Sequence, residues 1–450
     1  GLQPPSQWAA SAAALAFVRR LGFPREFAGF VQPGRSPLLE VEGPPNVPDL
    51  HDFQREIVNE FRGLLRSSGD GRRALLSLPT GAGKTRVAVE ALIEAIQHDG
   101  LKGPILWVTQ SDELCEQAVQ TWSFVWRGLG PPRERLAVSR LWAANEAEPV
   151  EGATQVVVAT IQKLQASVIS DADYAWLADA GCVVVDEAHH STAPTYTDLL
   201  AWLGLERGRG ARPLVGLTAT PFRGVSEEES RRLVARYGGR RLDAPAFGDE
   251  DPYPILQERG ILAHVKHRVL AGAEVELTRK ELEMLERTRL FPRSAEDQLG
   301  LNVERNRRLL EEIKRLPSDW TVLLFATSVD HAQTMAALLT LEGITAKPIT
   351  GLTDPGPRRH YIEEFRERRL RVLTNYAVLT QGFDAPAVRA IFVARPTYSP
   401  NLYQQMIGRG LRGPLNGGKD ECLIVNVEDN VRQFGEQLAF RDFEYLWNSD

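Results

Sequence analysis

The sequence of 450 residues predicts an α/β fold: two tandem domains, each a mainly parallel sheet flanked by helices. Three observations carry this. Short apolar, β-branched runs alternate with helix-compatible runs, as parallel strands covered on both faces require. The runs fall into two sets separated by a stretch rich in proline, glycine and acid. One glycine-rich turn joins a strand to a helix and carries the residue types that hold phosphate. A chain of this length exceeds one core, and a prior of roughly 150 residues per domain gives two to three domains.

In chain order, residues 1–46 are rich in proline and small residues and read as a tether or the edge of a further domain. The chain begins at Gly1 without an initiator methionine, which suggests a piece of a longer protein, although simple methionine removal would look the same. Residues 47–224 form the first unit, with strands expected at "RALLSL", "PILWVT", "TQVVVAT", "CVVVDEAHH" and "LVGLTAT". Residues 225–261 read as a linker: "SEEESRRLVARYGG" and then "RRLDAPAFGDEDPYP" suit an exposed junction that absorbs relative motion. Residues 262–440 form the second unit, with strands at "TVLLFAT", "ITAKPIT", "RVLTN", "AIFVAR" and "ECLIVNV"; residues 441–450 are a tail. The charged helices "ELTRKELEMLERTRL" and "VERNRRLLEEIKRL" present arginines that read as solvated faces. The two halves share architecture, not sequence.

Composition narrows the function. A net charge of −6 is not the strongly basic balance of a purely electrostatic nucleic-acid binder, so any nucleic acid must be held along a local track. No apolar run approaches the ~20 residues that span a bilayer. The N-terminal arginines follow the apolar stretch, unlike a signal peptide. Cys115, Cys182 and Cys422 form no metal spacing and cannot pair off fully, which points to a reducing, intracellular setting.

"SLPTGAGKT", Ser77 to Thr85, is legible residue by residue. Gly81 and Gly83 let the backbone curl so that N–H groups of Thr80, Gly81, Ala82 and Gly83 face an anion, and the following helix adds its positive end. Lys84 reaches the β- and γ-phosphates of ATP, and the Thr85 hydroxyl is placed to ligate Mg²⁺. The plainer reading is a glycine-rich turn. In "VVVDEAHH", Asp186 and Glu187 end a β-branched strand, where parallel sheets bind ligands. Asp186 would share the Mg²⁺ with Thr85, and Glu187 would activate the attacking water. His189 and His190 lack the further convergent ligands that zinc requires. The tryptophans of the first half fill gaps between helix and sheet more readily than they stack on bases.

With these motifs the chain resembles the superfamily 2 helicases and translocases of the DEAH type, the letters standing as Asp186, Glu187, Ala188 and His189. The likeness spans roughly Leu50 to Val427 and implies two RecA-like domains with ATP in the cleft between them. "LHDFQREIV" resembles the Q motif, in which Gln54 would recognise adenine. "VTQSDELCEQ" and "VVATIQKL" sit where motifs Ia and Ib belong, although Gln110 replaces the usual proline. "LTATP" matches motif III, whose Thr218 and Thr220 would couple nucleotide state to strand grip. "LLFATSVDHA" resembles motif IV. "VLTNYAVLTQGFDAP" matches motif V, with Gly382 and Asp384 at the nucleotide, and "YQQMIGRGLR" matches motif VI, with Gln405, Arg409 and Arg412. An arginine inserted against the γ-phosphate is worth on the order of 10³–10⁵ in rate, and a spacing of three predicts Arg409 and Arg412 on one helical face. In the family His189 relays between the cleft and motif VI.

The resemblance implies nucleic-acid contacts at Thr109, Gln110 and Thr160 in the first half and at Thr350, Gly351, Thr374 and Asn375 in the second. Neutral donors suit sequence-independent grip, but each threonine is equally suited to bonding its own turn. "QMIGRGLR" with "GFDAP" is more similar to type III restriction motor subunits, RadD-like proteins and XPB-like translocases than to RNA-processing DEAH enzymes, which favours DNA over RNA as the partner. A nuclease or other effector would lie in domains or subunits outside this chain. The alternative is an ATP-gated duplex sensor that signals to a partner with little translocation; a protein remodeller without nucleic acid is the third reading.

Overall fold

The computed structural model describes residues 12–21, 28, 38–42, 47–68, 71–131, 134–205, 212–219, 227–248, 250–288, 291–376, 378, 388–431 and 438–439. The first sheet comprises β1 Leu38–Glu42, β2 Arg73–Ser77, β3 Ile105–Thr109, β4 Arg135–Leu141, β5 Thr154–Thr160, β6 Cys182–Asp186 and β7 Leu214–Thr218. Their order is β1-β4-β5-β3-β6-β7-β2. β1 runs antiparallel to β4, and the other recorded pairings are parallel. The second sheet comprises β8 His264–Val275, β9 Thr321–Phe325, β10 Ala346–Ile349, β11 Val372–Asn375, β12 Val388–Val393 and β13 Glu421–Val431. Its order is β10-β11-β9-β12-β13-β8, with every recorded pairing parallel. Two parallel-sheet α/β domains flanked by helices are therefore present.

Side-chain alternation builds the layers. In β3, Ile105 and Trp107 join the core beneath helices 52–66, 84–98 and 112–129, whereas Leu106 and Val108 join the core on the opposite face. Such strands are apolar on both faces because both are covered. Each fully buried aliphatic side chain contributes ~1.5–3 kcal/mol. Trp107, Trp122 and Trp126 are fully buried in this packing.

Four elements differ from expectation; one is the long strand β8, whose mostly exposed and half-buried positions give no apolar run. The tether contributes β1, an edge strand. β4 shows no strand-like apolar run because Arg135, Ser139 and Arg140 interrupt its pattern, yet Ser139 and Arg140 are paired: Gln155 Nε2 donates to Ser139 Oγ at 2.9 Å and Arg140 pairs with Glu116. The segment expected as an exposed linker is instead packed, with Tyr237, Leu242, Phe247, Tyr253, Leu256 and Ile261 buried. The reason is the topology. β2 ends the first sheet, so its outer N–H and C=O groups need partners. Leu75 N–H donates to Arg240 O, Leu242 N–H to Leu75 O, and Ser77 N–H to Asp243 Oδ1.

One arginine also departs from the solvated helix face. Arg305 is 1% exposed, and its Nε and Nη2 donate to Asp429 at 2.8 and 2.7 Å. The sequence of helix Val303–Arg315 cannot reveal that partner, which lies on β13.

Candidate active site

β2 leads into the loop 78–83 and then into helix Lys84–His98. Gly81 (φ 93°) and Gly83 (φ 86°) take left-handed backbone that favours glycine, so the loop curls at the helix start. A Cβ on Gly83 would come within 2.5 Å of Gln54 Nε2. Gln54, the residue expected at adenine, is tied to this loop: its Nε2 donates to Ala82 O at 2.9 Å and its Oε1 accepts from His51 N–H at 3.0 Å. One N–H and one lone pair remain for a base. Beside it opens a cavity of about 410 Å³ lined by His51, Asp52, Phe53, Arg259, Ile261 and Leu415, a size range that suits a small-molecule ligand.

Asp186 and Glu187 are buried at the end of β6. Burial, opposed by Lys84 and reinforced by Glu187, pushes the Asp186 carboxyl up to about 6. Glu187 occupies left-handed backbone (φ 52°, ψ 51°), the kind of local strain that functional sites store. Burial pushes its carboxyl up, but the positive charges of Lys84 and Arg409, joined by His189 and His190 only when those are protonated, outweigh that and hold it below the usual range. Its Oε2 is buried and has no hydrogen-bond partner among the described residues. A glycine cradle, a lysine and two buried carboxylates, one with an unmet acceptor, fit a metal–triphosphate and an attacking water.

His189 ties this centre to the other lobe. Burial, opposed by Glu187 and reinforced by His190 and Lys84, pushes its imidazole down to about 4, so the ring is neutral at pH 7. Its Nδ1 lies 3.1 Å from Thr218 Oγ1 and 3.4 Å from Glu187 Oε2, and its Nε2 lies 3.5 Å from Gln405 Nε2. A Gln405 amide donating to Nε2 leaves the proton on Nδ1, facing Thr218 and Glu187. Arg409 sits close enough to act on Glu187, and the backbone of Arg412 lies beside Gly81.

The helical pairing expected of Arg409 and Arg412 needs correction. The helix Pro400–Ile407 ends before either arginine; Arg409 stands in a turn and Arg412 in an antiparallel bridge to Leu262. Close packing forces the change. A Cβ on Gly408 would lie 2.5 Å from Thr80 Cβ, and one on Gly410 would lie 2.3 Å from Cys422 Sγ.

The expected nucleic-acid positions gather at carboxyl ends of strands, but many of their side chains are committed within the fold. Thr109 Oγ1 donates to Ser111 O. Thr160 Oγ1 accepts from Lys163 N–H, Thr374 Oγ1 donates to Ala332 O, and Asn375 Nδ2 donates to Leu324 O. Thr350 Oγ1 accepts from Leu352 N–H. Gln110 is half-buried, donating to Tyr196 OH at 2.7 Å, and Gly351 is exposed. Arg358, from the helix after Gly351, pairs with Glu113 across the lobes at 2.5 Å. Thr220, Gly382 and Asp384 lie outside the described residues.

Comparison with known proteins agrees with this arrangement. The family model for the type III restriction enzyme, res subunit, matches residues 48–223, and that for the helicase conserved C-terminal domain matches residues 304–413. The Saccharomyces cerevisiae protein described as "Putative ATP-dependent helicase IRC3" is 24% identical over 397 residues, covering 85% of this chain and 52% of that protein. The chain spans about half the length of the curated relatives it matches. Among solved structures, S. cerevisiae Dbp5 bound to RNA and ADP BeF3 aligns with a TM-score of 0.56 at 13% identity, covering 88% of this chain and 90% of that one. The ATP-dependent Type ISP restriction-modification enzyme LlaBIII bound to DNA aligns with a TM-score of 0.56 at 15% identity, covering 87% and 28%. At such identities the solved structures share the fold alone, here tandem RecA-like domains. With a restriction-type match over the first lobe and a helicase C-terminal match over part of the second, the chain resembles the superfamily 2 helicases, and among them the motor subunits of type III restriction enzymes.

Proposed function

We propose that this helicase hydrolyses Mg²⁺–ATP in the cleft between its lobes and uses closure and reopening of that cleft to move along nucleic acid, with DNA favoured over RNA. The observation that carries the reading is the path through His189, which is hydrogen-bonded to Thr218 and Gln405 and lies 3.4 Å from Glu187 Oε2, since it joins a buried acid in one lobe to the arginine-bearing segment of the other. Mg²⁺ would be held by Thr85 and Asp186 and would neutralise charge on the phosphates. Lys84 would bind the β- and γ-phosphates, Glu187 would take the proton of the attacking water, and Arg409 would face the charge that develops on the γ-phosphoryl group. Arg412 would act from the same segment. The preference for DNA rests on the "QMIGRGLR" and "GFDAP" pattern and on the restriction-type match of the first lobe.

Grip on the backbone would come from main-chain N–H groups around residues 109–110, 160 and 350–351, with Gln110 the accessible side chain among them. ATP turnover titrated against single- and double-stranded DNA and RNA at fixed salt tests the reading. Duplex DNA is expected to stimulate turnover most, and Lys84→Ala to abolish it; stimulated turnover surviving in that variant refutes the assignment. Displacement of a third strand from triplex DNA is expected. Hydrolysis that leaves the triplex intact supports a duplex sensor instead.

A further inference from the structure

The turn Pro414–Asn416 belongs to the second lobe yet reaches the phosphate loop of the first. Asn416 Nδ2 donates to Gly81 O at 3.1 Å and to Ile261 O at 3.4 Å, while its Oδ1 lies 3.2 Å from His51 Nε2. Carbonyl oxygens only accept, so Nδ2 faces them and Oδ1 faces the imidazole; His51 Nε2 then carries the proton. His51 also donates its backbone N–H to Gln54 Oε1, and Gln54 donates to Ala82 O. A closed circuit therefore runs from Asn416 through His51, Gln54 and Ala82 to Gly81 and back, one member coming from the opposite lobe.

Gly81 sits at φ 93° without a side chain to hold its peptide plane. A carbonyl oxygen rotated into an anion cradle repels phosphate, whereas one held outward turns the loop's N–H groups inward. In the arrangement of the lobes seen here, Asn416 is placed to hold that oxygen outward. Nothing in the sequence marks this asparagine, which follows Pro414 and precedes two glycines in an apparent surface turn.

We infer that Asn416 is a positioning residue that clips the Gly81 carbonyl and His51 together across the lobes, so that closure itself sets nucleotide affinity. The inference rests on reading residues 80–85 as the ATP phosphate loop. It touches none of the reacting atoms, so its signature is in binding.

The test is titration of the full chain with fluorescent ADP and with ATP, comparing wild type, Asn416→Ala, His51→Ala, the double variant and His51→Gln. Each alanine variant is expected to weaken nucleotide binding about tenfold, as the loss of one or two hydrogen bonds implies. The double variant is expected to be no weaker than the weaker single, because both remove one circuit. KM for ATP should rise by the same factor while kcat at saturating ATP falls less than about twofold, and His51→Gln, which keeps an N–H donor, should recover most of the loss. Unchanged affinity, additive losses, or a fall in kcat at constant KM overturns the inference. Should Asn416→Ala fail to fold, His51→Ala at the half-buried rim carries the same expectation. A wild type that binds nucleotide without any stimulation by nucleic acid defeats the motor reading while leaving the clip intact. Stimulated turnover with normal binding in the variants defeats the clip alone.

Discussion

At Asp186 the folded protein keeps a carboxyl that burial pushes up to about 6, whereas an unfolded chain releases that proton near ~4. Between those values the folded state binds more proton, so this group's stabilisation is fully present below ~4 and lost as pH rises through about 6. Asp186→Asn is therefore expected to melt higher than wild type at pH 7 without nucleotide, with the difference closing toward pH 4. An equal or lower melting temperature at pH 7 contradicts this account. The same variant is expected to lose Mg²⁺-dependent turnover, a conflict of stability with function common at active sites. Glu187 differs because Lys84 and its neighbours hold it ionised. Glu187→Gln is expected to keep nucleotide binding and slow turnover by ~10²–10⁴-fold, read by comparing equilibrium titration with single-turnover hydrolysis.

Among the elements, strand ends decide which polar groups are available to a ligand. Thr374 is fully buried at the end of β11, its hydroxyl donating to Ala332 O at 2.7 Å. Thr374→Val is expected to cost ~0.5–1.5 kcal/mol of stability and to leave nucleic-acid affinity and its salt slope unchanged. A weaker affinity with normal melting would restore the threonine to the contact surface. The segment after helix Pro400–Ile407 depends on close approach: Gly410→Ala would drive a methyl against Cys422 Sγ and Ile391. The expected loss is ~1–3 kcal/mol, seen as an earlier denaturant midpoint. Arg305 in helix Val303–Arg315 is the sharper case, since Arg305→Ala would leave Asp429 buried and uncompensated, at ~3–5 kcal/mol.

For the whole molecule, polar contacts among the described residues join the lobes. Gln405 reaches His189, Asn416 reaches Gly81, and Arg358 reaches Glu113. If communication between cleft and track passes through His189, Gln405→Ala should lower the stimulation of ATP turnover by nucleic acid about tenfold, within the range of typical coupling free energies. Stimulation equal to wild type would place the coupling elsewhere. By itself the sequence determined the two parallel-sheet domains and marked the candidate nucleotide residues, because strand periodicity and a phosphate-loop pattern are local properties written in consecutive residues. The tertiary structure alone decided what depends on remote partners. It packed segment 237–261 against the sheet because the edge strand β2 needed hydrogen-bond partners, and it buried Arg305 because Asp429 waits 124 residues away. It also separated Arg409 and Arg412 from one helix, since the glycines between and before them admit close neighbours. Asn416 was hidden for the same reason: its hydrogen bonds to His51 and Gly81 span the cleft, and no local pattern records a contact made across two folded bodies.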